Sequence, residues 1–382
     1  TAFIGHSSEY SVFSKSYTDK IEKSDTPGRE FFNNRFFLNP TQSNDSLRVM
    51  RLDNRVFIRL QPWSADAIVS KLDVGVGDKL LNYYSFSPKS YLTGPETVAQ
   101  NSVYLYAGAQ GQHEKYLKWN AFGDYTFAGH ELNDFSIKGN LAFSMYPFRK
   151  DRHSPLTIGA HFETSLREPD YYQQHLYTNH YMWNNNFGKE HETRFNVAFT
   201  VPDYGIELGF WQSVVTDKIY YGADCKPAQH SGAVSLTSIY AQKNFTIKGL
   251  HLDHRVLVQL TSNREVVPVP LVSAFLSYYY EFWVKRDVLR VQIGLDGRFN
   301  TSYYAQGYNP ALSVFYNQNE VEIGNYPYVD AFVAAKWKRM RILLKYQHLN
   351  NGLFGNGEAF QVAYYPLNPG MFKIGISWAF YD

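Results

Sequence analysis

Strict alternation of apolar and polar side chains is the feature of this chain that leaves the fewest folds open. It is clearest near the end of the sequence. There Phe372, Ile374, Ile376, Trp378 and Phe380 fall on one parity and Lys373, Gly375, Ser377, Ala379 and Tyr381 on the other. Successive side chains of a strand point to opposite faces, so this pattern makes one face hydrocarbon and leaves the other polar. The same division recurs at 287–300, where Leu289, Val291, Ile293, Leu295 and Phe299 oppose Arg290, Gln292, Gly294, Asp296, Arg298 and Asn300. At 134–145, Phe135, Ile137, Leu141, Phe143 and Met145 oppose Ser136, Lys138, Asn140 and Ser144. At 48–60, Met50, Leu52, Val56, Ile58 and Leu60 oppose Arg51, Asp53, Arg55, Phe57 and Arg59.

Composition explains which two solvents these faces meet. Aromatic residues make up 17% of the chain, with 31 Tyr and 28 Phe, yet the mean hydropathy is only -0.38. The large apolar groups are therefore interleaved with charges one by one, not gathered into a core. No stretch supplies the roughly 18 to 20 uninterrupted apolar residues of a membrane-spanning helix. Strands of about 9 to 13 residues with a dyad pattern instead suit a tilted membrane barrel. Hydrocarbon offers no partner to backbone N–H and C=O groups, so a spanning sheet is stable only when its edges are closed. Aromatic residues at strand ends, namely Trp119, Phe127, Trp283, Trp337, Trp378 and Phe380, are placed as an interfacial girdle.

The expected architecture is thus all-β: one transmembrane antiparallel β-barrel over 1–382, with short periplasmic turns and long extracellular loops. The alternation predicts sixteen strands, near 1–14, 47–60, 67–86, 101–110, 113–127, 134–147, 155–167, 186–200, 205–220, 232–244, 250–262, 268–284, 287–302, 326–338, 340–351 and 370–382. The bounds are fourteen and eighteen, the higher number arising if the segment 15–46 with Phe31, Phe32, Phe36 and Phe37 adds a strand pair. Thr1 opens directly on a strand-like run, so this numbering is expected to start either after processing of a leader or after a further N-terminal segment.

The net charge of +2, from 37 basic and 35 acidic residues, creates no overall field for nucleic acid. Cys225 is the single cysteine, which excludes an internal disulfide and a zinc–cysteine centre. Neither a G-x-S-x-G elbow, an H-E-x-x-H helix nor a phosphate-binding glycine loop occurs, so no catalytic residue, metal or cofactor is expected. His251 and Asp253 share a strand face and read as a hydrated pair.

Several segments together resemble a family of outer-membrane porins of Bacteroidota: RVFIRLQPW (55–63), HYMWNNNF (180–187), NREVVPVPL (263–271), YYYEFW (278–283), YNPALSVFYNQNE (308–320), IGNYPYVDAFVAAKWKR (323–339), NNGLFGN (350–356) and FKIGISWAFYD (372–382). The resemblance implies a bacterial outer-membrane location and a pore. The chain departs from the commonest outer-membrane ending by finishing on Asp382, with Phe380 and Tyr381 expected to serve the assembly signal.

The inward parity defines the candidate pore lining: Arg51, Asp53, Arg55, Arg59, Lys118, Asp124, Lys138, Arg255, Arg290, Asp296, Arg298, Asp330, Lys336 and Lys345. With Lys71, Arg194, Lys373, Asp73, Glu207, Asp253 and Glu281 added, cations exceed acids thirteen to eight. Two outcomes follow from this set: a basic constriction that favours anions, or charges that pair across neighbouring strands and only solvate a lumen. The runs at 171–187 and 303–326 are placed in external loops, either as sugar-contacting surfaces, as self-packed aromatic loops, or folded inward to narrow the pore. Asp45-Ser46-Leu47 looks like a short O-glycosylation sequon.

The function expected is passive diffusion of small hydrophilic solutes. The alternative is a scaffold or accessory subunit of a larger outer-membrane complex. TonB-dependent import is disfavoured at this point, since no plug-like segment precedes the first strands and such barrels need about 22 strands. Expected partners are outer-membrane lipid and lipopolysaccharide, the outer-membrane assembly machinery and other outer-membrane subunits.

Overall fold

The computed structural model describes residues 1–61, 64, 67–85, 96–147, 154–353 and 359–380. Pro62 and Trp63, Phe354 to Asn356, and Tyr381 and Asp382, which belong to the segments quoted above, lie outside the described residues.

Sixteen strands form one antiparallel sheet in strict chain order. They are β1 (Ala2–Lys20), β2 (Gln42–Leu60), β3 (Lys71–Ser85), β4 (Glu96–His113), β5 (Leu117–Gly129), β6 (Phe135–Met145), β7 (Leu156–Arg167), β8 (Glu190–Val201), β9 (Ile206–Thr216), β10 (Ala233–Ile247), β11 (Leu250–Thr261), β12 (Val272–Lys285), β13 (Leu289–Asn300), β14 (Tyr328–Trp337), β15 (Met340–Gln347) and β16 (Met371–Trp378). The segment 21–41 adds no strand pair. It holds a one-and-a-half-turn helix, Thr26–Phe31, capped by the Asp25 carboxylate on the Gly28 amide.

Each strand pairs with its neighbours in the order of the chain, as short hairpins dictate. From β7 onward the connections alternate in length. The turns at 114–116, 202–205, 248–249, 286–288 and 338–339 lie on one rim, and the segments 21–41, 168–189, 217–232, 301–327, 348–353 and 359–370 lie on the other. The short rim is periplasmic and the long loops are extracellular. Positive φ at Lys248 and Gly249, and at Asp287 and Lys338, allows the tight reversals on the short rim.

Parity decides exposure. Ile293 and Leu295 are 50% and 48% exposed on the apolar face, while Asp330, opposite Asp296, is 1% exposed on the polar face. Trp119, Trp337 and Trp378 sit at the short-turn rim on the apolar parity. Trp283 differs from the girdle expectation. It stands opposite Arg290, on the polar parity, with the guanidinium 5.8 Å from its ring centroid. A two-residue step in register between Trp283 and Lys285 follows it.

Among the described residues β1 pairs only with β2 and β16 only with β15, and no ladder joins β1 to β16. The sixteen strands form one continuous wall.

Candidate functional site

The register brings the expected lumen residues onto one face and determines which of them meet. Asp53, 2% exposed, accepts from Arg51 Nη2 at 2.9 Å, from Arg55 Nη2 at 3.3 Å and from the Tyr104 hydroxyl at 2.6 Å. Arg55 Nε in turn donates to that hydroxyl at 2.7 Å. Arg59 forks onto Asp73 at 2.7 and 3.0 Å, with Lys71 3.1 Å from the same carboxylate. Forked guanidinium–carboxylate bonds are the strong, geometrically specific class.

Further round the wall, Lys138 lies 3.0 Å from Glu163 and Arg194 bonds Glu192 at 2.6 Å. Arg290 meets Glu281, which also accepts from Gln292 Nε2 at 2.6 Å. Lys345 donates to Asp296 at 2.8 Å and stands 2.9 Å from Asp330. Tyr240 donates to Glu207 at 2.6 Å, and Arg255 lies over the Tyr240 ring at 5.4 Å. His251 stacks on Tyr279 with ring centroids 4.5 Å apart. No group of three or more potential metal-ligating side chains occurs among the described residues.

Nine of the fourteen candidates, Arg51, Asp53, Arg55, Arg59, Lys138, Arg290, Asp296, Asp330 and Lys345, are thus tied into ion pairs. Among the described residues Lys118, Asp124, Arg255, Arg298 and Lys336 form no ion pair. Sequence reasoning passed over Lys79, Tyr104, Glu163 and Glu192, which share the same face. Parity alone could have found them. Between these charged groups runs an amide–imidazole ladder in which Asn140 Nδ2 donates to Asn120 at 2.8 Å and Asn140 Oδ1 lies 2.7 Å from His161 Nδ1.

At the extracellular rim four connections knit together. Ile21 and Phe32, Leu176, Tyr181 and Trp183, Cys225, and Ala311 and Leu312 form one buried apolar cluster drawn from 21–41, 168–189, 217–232 and 301–327. Its polar keystone is Asn179, 1% exposed. The Asn179 side chain accepts from the amides of Leu38 and Asn39 at 2.9 Å and donates to Ser43 Oγ at 2.8 Å. His180, stacked 3.8 Å from Phe32, places Nε2 2.7 Å from Ser43 Oγ and Nδ1 2.9 Å from the Arg35 carbonyl. A carbonyl accepts only, so Nδ1 carries the proton and Nε2 accepts from Ser43. Burial holds the His180 pKa below its ordinary value and pushes the Cys225 thiol up, so the cluster is neutral. Asn317 Nδ2 donates to the carbonyls of Glu265 and Val266 at 2.6 and 3.0 Å, and Lys15 of β1 donates to the Ala311 carbonyl at 2.6 Å.

The external loops are therefore packed on one another, and the motifs HYMWNNNF, NREVVPVPL and YNPALSVFYNQNE supply much of that packing. In the sequon, the Asp45 carboxylate accepts the Asn179 amide at 3.0 Å, and Ser46 lies within β2.

An antiparallel wall with an apolar outer parity, a charged inner parity, short turns on one rim and packed loops on the other is the architecture of an outer-membrane β-barrel. The family model described as "Putative porin" matches residues 1–382, and the chain belongs to that family and to the bacterial outer membrane. Solved structures with the same fold include the ferric enterobactin receptor PfeA from Pseudomonas aeruginosa, at 10% identity and a TM-score of 0.61 over 98% of this chain and 58% of that one. The siderophore receptor PirA from Acinetobacter baumannii matches at 8% identity and 0.60 over 99% and 60%. The copper transporter OprC matches at 10% and 0.59 over 91% and 56%. The chain spans about three-fifths of the length of these structures. The search of curated proteins gave no match.

Proposed function

We propose that this barrel is a channel for small hydrophilic solutes, with a modest preference for anions. The observation that carries the reading is the charged inner parity across the wall, on which the cations without an ion pair, Lys118, Arg255, Arg298, Lys336 and Lys373, outnumber the acids without one, Asp124, Glu207 and Asp253, among the described residues. Paired charges cancel most of the field in a lumen, so its sign is set by the cations left over. The likeness to siderophore receptors and a copper transporter is one of fold, and supports a transport barrel without bringing their cargo. Planar-bilayer recordings under a salt gradient test the proposal. A reversal potential on the anion side is expected; absence of conductance would sink the channel reading, and a cation-side potential its selectivity.

The second reading is a scaffold or accessory subunit within an outer-membrane complex, which the interlocked loops favour. Co-purification of a stoichiometric membrane partner, together with no conductance, would favour it over the channel.

A further inference from the structure

Near the periplasmic rim, three cations stand side by side on adjacent strands. Arg290 of β13 is directly opposite Lys336 of β14, and Lys336 is directly opposite Arg341 of β15. Directly opposed residues hold their Cβ atoms about 4.5–5.5 Å apart, and like charges so placed destabilise a sheet. Only Arg290 has a carboxylate partner, Glu281, whose other oxygen accepts from Gln292. Lys336 and Arg341 have none among the described residues. Beyond Arg341 the row ends on Ser377 of β16, a neutral hydroxyl. These side chains line a cavity of about 610 Å³ on the polar face of the wall.

At other points on the same face acids stand between bases or a base between acids, as at Lys138–Glu163–Arg194 and Asp296–Lys345–Asp330. A row of three bases and one acid carries an excess of two positive charges. We infer that this row is a binding site for a doubly charged oxyanion, phosphate or a phosphomonoester, at the periplasmic end of the lumen. The two guanidinium groups offer planar donor forks matched to phosphate oxygens, Lys336 supplies a point charge between them, and Ser377 adds a hydroxyl donor. The apolar parity points the other way, so the site opens to the lumen and not to lipid. This deepens the channel reading by naming a solute class.

The test uses the whole chain in detergent, titrated calorimetrically with inorganic phosphate at neutral pH and low salt. Saturable binding of one phosphate per chain is expected, weakened at least tenfold in Lys336→Gln/Arg341→Gln and about threefold or less in Arg341→Lys. Because binding to the folded state alone stabilises it, phosphate should also raise the unfolding temperature of the unsubstituted chain. Lys336→Gln should raise it without phosphate by removing the repulsion. No saturable binding, or equal binding by the double variant, overturns the site. So does binding of a short-chain phosphatidylglycerol in preference to phosphate, which would make it a lipid headgroup site. Phosphate binding in a chain that conducts no ions upholds the site and sinks the channel reading; conductance without phosphate binding does the reverse.

Discussion

His180 of the extracellular loop 168–189 and Ser43 of β2 are joined side chain to side chain, with Nε2 2.7 Å from Oγ. This single bond links the second strand of the wall to a loop that begins five strands later. With Asn179 donating to the same hydroxyl, it makes the loop layer one unit, not a set of independent hairpins.

Replacing His180 with Ala should loosen that layer first. The ring is 1% exposed and stacked on Phe32, so its loss leaves a cavity and removes the hydrogen bonds to Ser43 Oγ and the Arg35 carbonyl, at a cost of about 2–4 kcal/mol. Limited proteolysis of membrane-inserted protein should show faster cleavage in 21–41 and 168–189, with the wall intact.

Acid should act in the same direction. The folded-state pKa of His180 lies below its unfolded value, so the unfolded loop binds the proton more readily. The stabilisation is fully present above the ordinary value of about 6.5 and is lost as pH falls from there through the lowered value. Loop protection should be weaker at pH 5 than at pH 7.5, and His180→Gln should flatten the difference. A pH dependence unchanged by that substitution would assign it to other groups.

Lys345 separates two carboxylates that face each other across β13 and β14, Asp296 and Asp330. Asp330 is 1% exposed, and the Lys345 side chain 17%. Lys345→Met should destabilise the wall by about 3 kcal/mol, since it strands a buried acid against a second one. Adding Asp330→Asn should recover part of the loss. The temperature at which the heat-modifiable gel band converts gives both values.

Gly77 and Gly209 hold places that aromatic rings cover. A Cβ on Gly77 would fall within the Tyr104 ring, and one on Gly209 within the Tyr240 ring. Gly77→Ala must push Tyr104 off Asp53, so a loss of about 1–3 kcal/mol is expected from the overpacking. Urea titration in detergent measures it, and an unchanged midpoint would mean that the ring moves freely.

Ile293 is half exposed on the apolar parity near the middle of β13. Ile293→Arg should cost about 2–4 kcal/mol in a bilayer and little in a detergent that yields around the charge. Folding yields into vesicles compared with micelles report the difference.

What the sequence determined by itself is local. The dyad alternation placed Arg290 and Ile293 on opposite faces and separated sixteen strands, because a strand assigns its faces by parity alone. Pairing was not legible, because register depends on turn geometry and on strands far apart in the chain. Thus Lys345 meets Asp296, 49 residues away, and Lys336 meets Arg341 without any acid between them. Parity also did not place Trp283: its position at a strand end suggested the interface, while the ladder put it against Arg290. The loop layer was least visible of all. Asn179 and His180 look like ordinary polar loop residues until 21–41 and 168–189 fold together, and only that tertiary contact buries them.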